Sequence, residues 1–273
     1  MPAFHHPKLP GVIAATTLAA FALATIGCGA RESSVRPQAD AARAPEIVRE
    51  DLKFPIEKDV STVEIVNPLG EISVRNREEA EVAVHGVVQQ LPPDFGRARI
   101  VSSREGDVLR LAVMLPEGSE GGRYDMAVYA PSGLPLILKG TAGRVDARKR
   151  TAPLTVTTTA GNINASTESW MDVTTDSGSI KAIARGENWV GRTRVRSNTG
   201  RILVLVPLSG DVSLNAQTGG RLTTNFGLSV QARDGGGSIA SARYGSGTSE
   251  LSIASESGEV ILEQAILLEQ DGG

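Results

Sequence analysis

Arg192, Arg194 and Arg196 alternate with Thr193 and Val195, so on an extended strand all three guanidinium groups project from one face. Arg201 follows just past Gly200, and Arg185 precedes the group. A guanidinium is a planar fork that pairs two-pronged with carboxylate or phosphate. On a chain of net charge −3, Arg192, Arg194, Arg196 and Arg201 therefore mark a candidate site for an anionic polymer or an acidic partner. The plainer alternative is a solvated face, with Asp172 one strand away pairing with Arg194 for at most about 1 kcal/mol.

Other residues able to do chemistry are sparse. The chain has one cysteine, Cys28, and three histidines, His5, His6 and His85. Metal centres built on Cys and His need several such ligands, so a structural zinc is excluded, and nothing implies a cofactor. Parallel β-helices include polysaccharide lyases and hydrolases, which work with clustered carboxylates on one sheet face. Here Asp146, Asp172, Asp211 and Glu259 fall in different columns of the repeat described below, or on distant turns of it. Asp234-Gly235-Gly236-Gly237 lacks the Lys or the series of Asp that a phosphate or calcium loop needs, and fits a chain corner. There is no Gly-x-Ser-x-Gly nucleophile elbow. His85, in an alternating strand, is expected to be a structural or surface residue.

The elements that must position these residues are strands. Hydrophobic residues make up 40% of the chain but aromatics only 4%, so the core must be Val, Ile, Leu and Ala. The 273 residues suffice for one large β domain or two small ones. A pI of 5.7 with interspersed charges gives no basic field for nucleic acid.

One pattern recurs: an alternating apolar pair, a Ser/Thr/Asn-rich step, Gly, then a second apolar pair. Leu154-Thr-Val-Thr-Thr-Thr-Ala-Gly161-Asn-Ile163 and Met171-Asp-Val-Thr-Thr-Asp-Ser-Gly178-Ser-Ile180 are examples. Copies centre on Gly70, Gly143, Gly161, Gly178, Gly200 and Gly258, with weaker ones at Gly219/Gly220 and Gly237. From Gly143 onward they stand 17 to 22 residues apart. Leu138, Val156, Val173, Val195 and Ile253 precede the glycines by five residues; Val145, Ile163, Ile180, Ile202, Ile239 and Val260 follow by two. These columns are expected to be interior, with the positions between them facing water and the glycines supplying left-handed corners. The pattern predicts an all-β parallel solenoid whose rungs stack about 4.8 Å apart, against the rival of an ordinary β-sandwich. Residues 54–131 carry longer alternating strands, such as Glu81–Val88 and Val108–Leu115, and predict an N-terminal antiparallel region that caps the solenoid.

Residues 1–27 have the form of an export signal: a short head with Lys8, then an apolar stretch from Gly11 to Ile26 too short to span a bilayer. Thr25-Ile26-Gly27-Cys28 resembles the lipobox of bacterial lipoproteins, with Thr in place of the usual large aliphatic residue. The resemblance implies that Cys28 is the site of lipid attachment, and Gly29, not Asp, implies the outer membrane if the organism has one. Residues 28–53 are expected to be a flexible tether, 54–265 the β-solenoid and 266–273 a tail.

Val63-Glu-Ile-Val-Asn-Pro-Leu-Gly-Glu-Ile-Ser-Val74, then Tyr124-Asp-Met-Ala-Val-Tyr-Ala-Pro-Ser-Gly-Leu-Pro-Leu136, then repeated Thr-x-x-Gly-x-Ile, resemble the bacterial putative-adhesin domain of unknown function. That resemblance, over residues 55–265, implies a right-handed β-solenoid in an envelope protein without established enzymatic activity, and it carries no catalytic residues. The expected function is a lipid-anchored, non-catalytic, extracytoplasmic protein presenting an adhesin-like or scaffolding surface to envelope polysaccharide. The alternatives are a periplasmic partner or regulator of a membrane signalling protein and, last, a polysaccharide-active enzyme.

Overall fold

The two apolar pairs flanking each repeat glycine form two short strands that lie in different sheets. The computed structural model describes residues 46–90, 97–115, 122–186, 189–207 and 210–265; the export signal, Cys28, the first part of the tether and the tail lie outside them. The described residues belong to one compact unit and contain strands but no helix.

The first strands are β1 (Glu46–Pro55), β2 (Thr62–Asn67), β3 (Ile72–Arg77), β4 (Glu81–Gln90), β5 (Arg99–Glu105), β6 (Val108–Met114) and β7 (Arg123–Pro131). The repeats follow as β8 (Leu136–Gly140), β9 (Val145–Arg150), β10 (Leu154–Thr158), β11 (Ile163–Thr167), β12 (Met171–Thr175), β13 (Ile180–Ala184), β14 (Arg192–Ser197) and β15 (Ile202–Val206). The chain ends in β16 (Val212–Thr218), β17 (Leu222–Thr224), β18 (Val230–Ala232), β19 (Ser238–Arg243), β20 (Ser249–Ser255) and β21 (Val260–Gln264).

Sheet A has the order β1-β4-β7-β3-β9-β11-β13-β15-β21-β17, and sheet B the order β18-β19-β16-β20-β14-β12-β10-β8-β2-β6-β5. From β8 to β15 successive strands alternate between the sheets, and each pairs in parallel with its equivalent one repeat on. Each pair of strands is one rung. Ile163, Ile180 and Ile202 stand in register and are 2% exposed or less, while Asn162, Ser179 and Arg201 face solvent. Fully burying one such side chain contributes about 1.5–3 kcal/mol, and a rung cannot do so without its neighbours.

Four features depart from the plainest reading of the repeat. First, the stacking order is not the chain order. Rung β2/β3 lies between β6/β7 and β8/β9, and rung β20/β21 lies between β14/β15 and β16/β17. Second, Gly237 is not a rung corner. It ends the turn of the antiparallel β18–β19 hairpin, and Ile239 lies beside Gln217 in sheet B, half-buried, outside the interior column.

Third, the rung glycines do not supply left-handed corners: Gly70, Gly143, Gly161, Gly178, Gly200, Gly220 and Gly258 all lack positive φ. They stack directly upon one another. A Cβ on Gly178 would overlap the carbonyl oxygen of Gly161, one on Gly200 that of Gly178, and one on Gly258 that of Gly200. The residue three before the glycine then turns the chain. The N–H groups of Gly178, Gly200 and Gly258 donate to the hydroxyls of Thr175, Ser197 and Ser255 at 3.2, 2.9 and 2.8 Å. These hydroxyls form a buried polar column instead of facing water, and Thr158 Oγ1 donates to Thr175 Oγ1 at 2.9 Å. Every member is hydrogen-bonded, as burial requires.

Fourth, residues 46–53 are not tether. They form most of β1, antiparallel to β4, with Val48 and Phe54 packed on the core and Arg49, Asp51 and Lys53 exposed between. Of the strands expected to be antiparallel, β4 is so on both sides, against β1 and β7, while β6 and β7 each pair antiparallel on one side and parallel on the other.

Candidate functional site

Strand β14 presents the three arginines because its other side is committed to the core. Thr193, Val195 and Ser197 are buried, so Arg192, Arg194 and Arg196 project from the outer face of sheet B. Register places Arg192 beside Glu250, Arg194 between Asp172 and Ser252, and Arg196 between Thr174 and Ala254. The Arg192 guanidinium donates to the Glu250 carboxylate and holds that carboxyl below its usual range. Arg194 reaches Asp172 at 3.5 Å. Both pairs are solvent-exposed and add little to stability.

Arg196 differs from its neighbours: among the described residues it makes no ion pair. It borders two adjoining clefts. One, of about 230 Å³, also takes in Arg192, Arg194, Ser213 and Asn215. The other, of about 300 Å³, takes in Gln217, Arg233 and Glu256. Ser213, Asn215 and Gln217 continue the outward polar rows across β16, with the half-buried Ile239 beside Gln217.

Arg201 does not join this group. It lies beyond the Gly200 corner at the start of β15, in sheet A, and pairs with Glu259 at 3.3 Å. Three of the four arginines are thus brought together. Arg233 was not anticipated, because it reaches the site through the β18–β19 hairpin and no local pattern links it to β14. The lipid-attachment candidate Cys28 lies outside the described residues.

The remaining candidates are dispersed. His85 is on the outer face of sheet A, where it contacts the Asp51 carboxylate and meets the Tyr129 ring edge-to-face at 5.1 Å. Asp146 takes both prongs of Arg148 at 2.7 and 3.0 Å. Asp211 accepts the Ser246 N–H at 2.7 Å, which lowers its carboxyl below the usual range. Among the described residues, no group of three or more His, Cys, Asp or Glu side chains could hold a metal ion.

No family model matches the chain, and no curated protein does. Among solved structures, a putative cell adhesion protein from Clostridium sporogenes is similar, with a TM-score of 0.49 and 14% identity over 81% of this chain and 100% of that one. A putative adhesin from Bacteroides fragilis has a TM-score of 0.31 and 11% identity over 80% of this chain and 97% of that one.

Proposed function

We propose that the chain is an extracytoplasmic, lipid-anchored, non-catalytic binding protein whose contact surface is the outer face of sheet B, and whose ligand is an anionic polymer of the cell envelope. The observation that carries the reading is the placement of Arg192, Arg194 and Arg196 on one flat face beside Ser213, Asn215 and Gln217. Guanidinium forks match carboxylate or phosphate, and neutral hydroxyls and amides match a polyhydroxylated backbone. The Cys28 anchor in the lipobox-like sequence would hold this face outside the cell. The winding in this proposal is right-handed, as in nearly all crossovers between parallel strands of one sheet, and β1, β4 and β5 cap the outermost rung β6/β7.

The test replaces Arg192, Arg194 and Arg196 together with Gln and measures retention on cell-wall and lipopolysaccharide preparations, with folding verified by circular dichroism. Retention should fall and lose its dependence on salt. Retention equal to that of the parent, insensitive to salt, would overturn the assignment of the face.

A further inference from the structure

We propose that Arg196 and Arg233 together form a subsite for one compact oxyanion, a carboxylate or a phosphate, carried on a polyhydroxylated polymer that runs along sheet B. The inference rests on the reading of that face given above, and deepens it by naming the two residues that grip the charge and the chemistry they fit.

Three observations converge. Arg196 on β14 and Arg233 in the β18–β19 hairpin border the same cleft of about 300 Å³, a volume at the small end of ligand sites. Neither makes an ion pair among the described residues, whereas Arg192, Arg194 and Arg201 all do. Glu256 also borders the cleft, so two guanidinium groups face one carboxylate and an excess positive charge is left for a ligand.

The hairpin that presents Arg233 is tightly specified. The Arg233 N–H donates to the Gly237 carbonyl at 3.1 Å and the Gly236 N–H donates to the Arg233 carbonyl at 3.1 Å. Gly235, Gly236 and Gly237 all have positive φ, which a side-chain-bearing residue would adopt only with strain. The Asp-Gly-Gly-Gly turn is thus the device that returns the chain so that Arg233 borders the cleft of Arg196. Because Arg196 also borders the adjoining cleft with Arg192 and Arg194, the positive groups form a continuous track. A track suits an extended polymer better than an isolated ion, and Gln217 adds a neutral amide for its hydroxyls.

Calorimetric titration of the mature protein tests this with three probes. Polygalacturonate oligomers carry carboxylates, polyglycerol phosphate oligomers carry phosphates, and dextran is neutral. The parent should bind at least one anionic probe and not dextran, and the preferred probe identifies which oxyanion the subsite takes. R196Q and R233Q should each raise Kd about tenfold or more, as loss of a charge-assisted pair does. R243Q, on the same face but outside the cleft, should change it less than about threefold. R233K keeps the charge without the fork and should fall between parent and R233Q. Binding by R233Q equal to the parent, with R196Q and the triple variant impaired, overturns the subsite and leaves the face intact. Failure of the parent to bind either anionic probe, or equal binding of dextran, overturns the subsite. Unchanged binding by R196Q, R233Q and the triple variant together overturns the subsite and the face.

Discussion

A side chain one carbon long is excluded at Gly70, Gly143, Gly161, Gly178, Gly200, Gly220 and Gly258 by a backbone carbonyl of the adjoining rung. Gly143 sits over Gly70, Gly161 over Gly143, and Gly178 over Gly161, each so close that a Cβ would overlap the underlying oxygen. Gly178→Ala must therefore push two rungs apart, a strain of about 1–3 kcal/mol or more. Gly227→Ala meets nothing within 4 Å and should lie within about 0.5 kcal/mol of neutral. Thermal unfolding of the two variants measures the difference, and equal melting temperatures would contradict the stacked column. The glycine column was legible in the sequence, but its cause was not. Spacing along the chain shows that a glycine recurs; only the neighbour above or below shows that the constraint is close approach and not positive φ. The buried hydroxyls were hidden for the same reason: Thr175 and Ser197 look like surface residues until the glycine N–H groups they accept are in place.

Strands β9 to β15 show how far two-residue alternation carries and where it stops. In β13 the inward Ile180 and outward Lys181 follow the pattern without exception, with Ile180 locked between Ile163 and Ile202. Ile180→Ala should cost about 2–5 kcal/mol, as large-to-small core changes do, and Lys181→Ala about 0.5 kcal/mol or less. Equal shifts on denaturant unfolding would overturn the register. Strand β9 breaks the rule. Lys149 adopts φ 58°, the pairing with β11 slips near its end, and Arg150 turns inward to 1% exposure. Its guanidinium donates to Asn76 Oδ1 at 2.7 Å, to the Leu134 carbonyl at 3.0 Å and to the Ala130 carbonyl at 3.2 Å, tying three segments together. Burial pushes its pKa down to about 10, so it stays charged at neutral pH while the carbonyls meet its N–H groups. A charged residue at a strand end reads as solvated from sequence alone, since its partners lie on other segments of the chain.

On the scale of the molecule, the two ends of the repeat region share one device: the first rung in sequence, β2/β3, and the last, β20/β21, are both flanked on each side by others. The outermost rungs are β6/β7 and β16/β17, and antiparallel strands extend beyond them. Local pattern favours stacking in chain order, because nothing within a repeat encodes which distant repeat it will meet; the insertions are long-range choices with a loop-closure cost. Anchorage is the second molecular-scale expectation. If Cys28 is acylated, Cys28→Ala moves the protein from the membrane fraction to the soluble or unprocessed pool, and unchanged fractionation contradicts it. The location of the binding surface is tested most directly by footprinting. Arginines of the mature protein are modified with phenylglyoxal, with and without purified envelope polymer, and each site is read by mass spectrometry. Arg192, Arg194, Arg196 and Arg233 should be protected by the polymer, while Arg75, Arg201 and Arg221, on sheet A and its corners, react as before. Protection confined to Arg75, Arg201 and Arg221, or absent at all seven, would contradict a contact surface on sheet B.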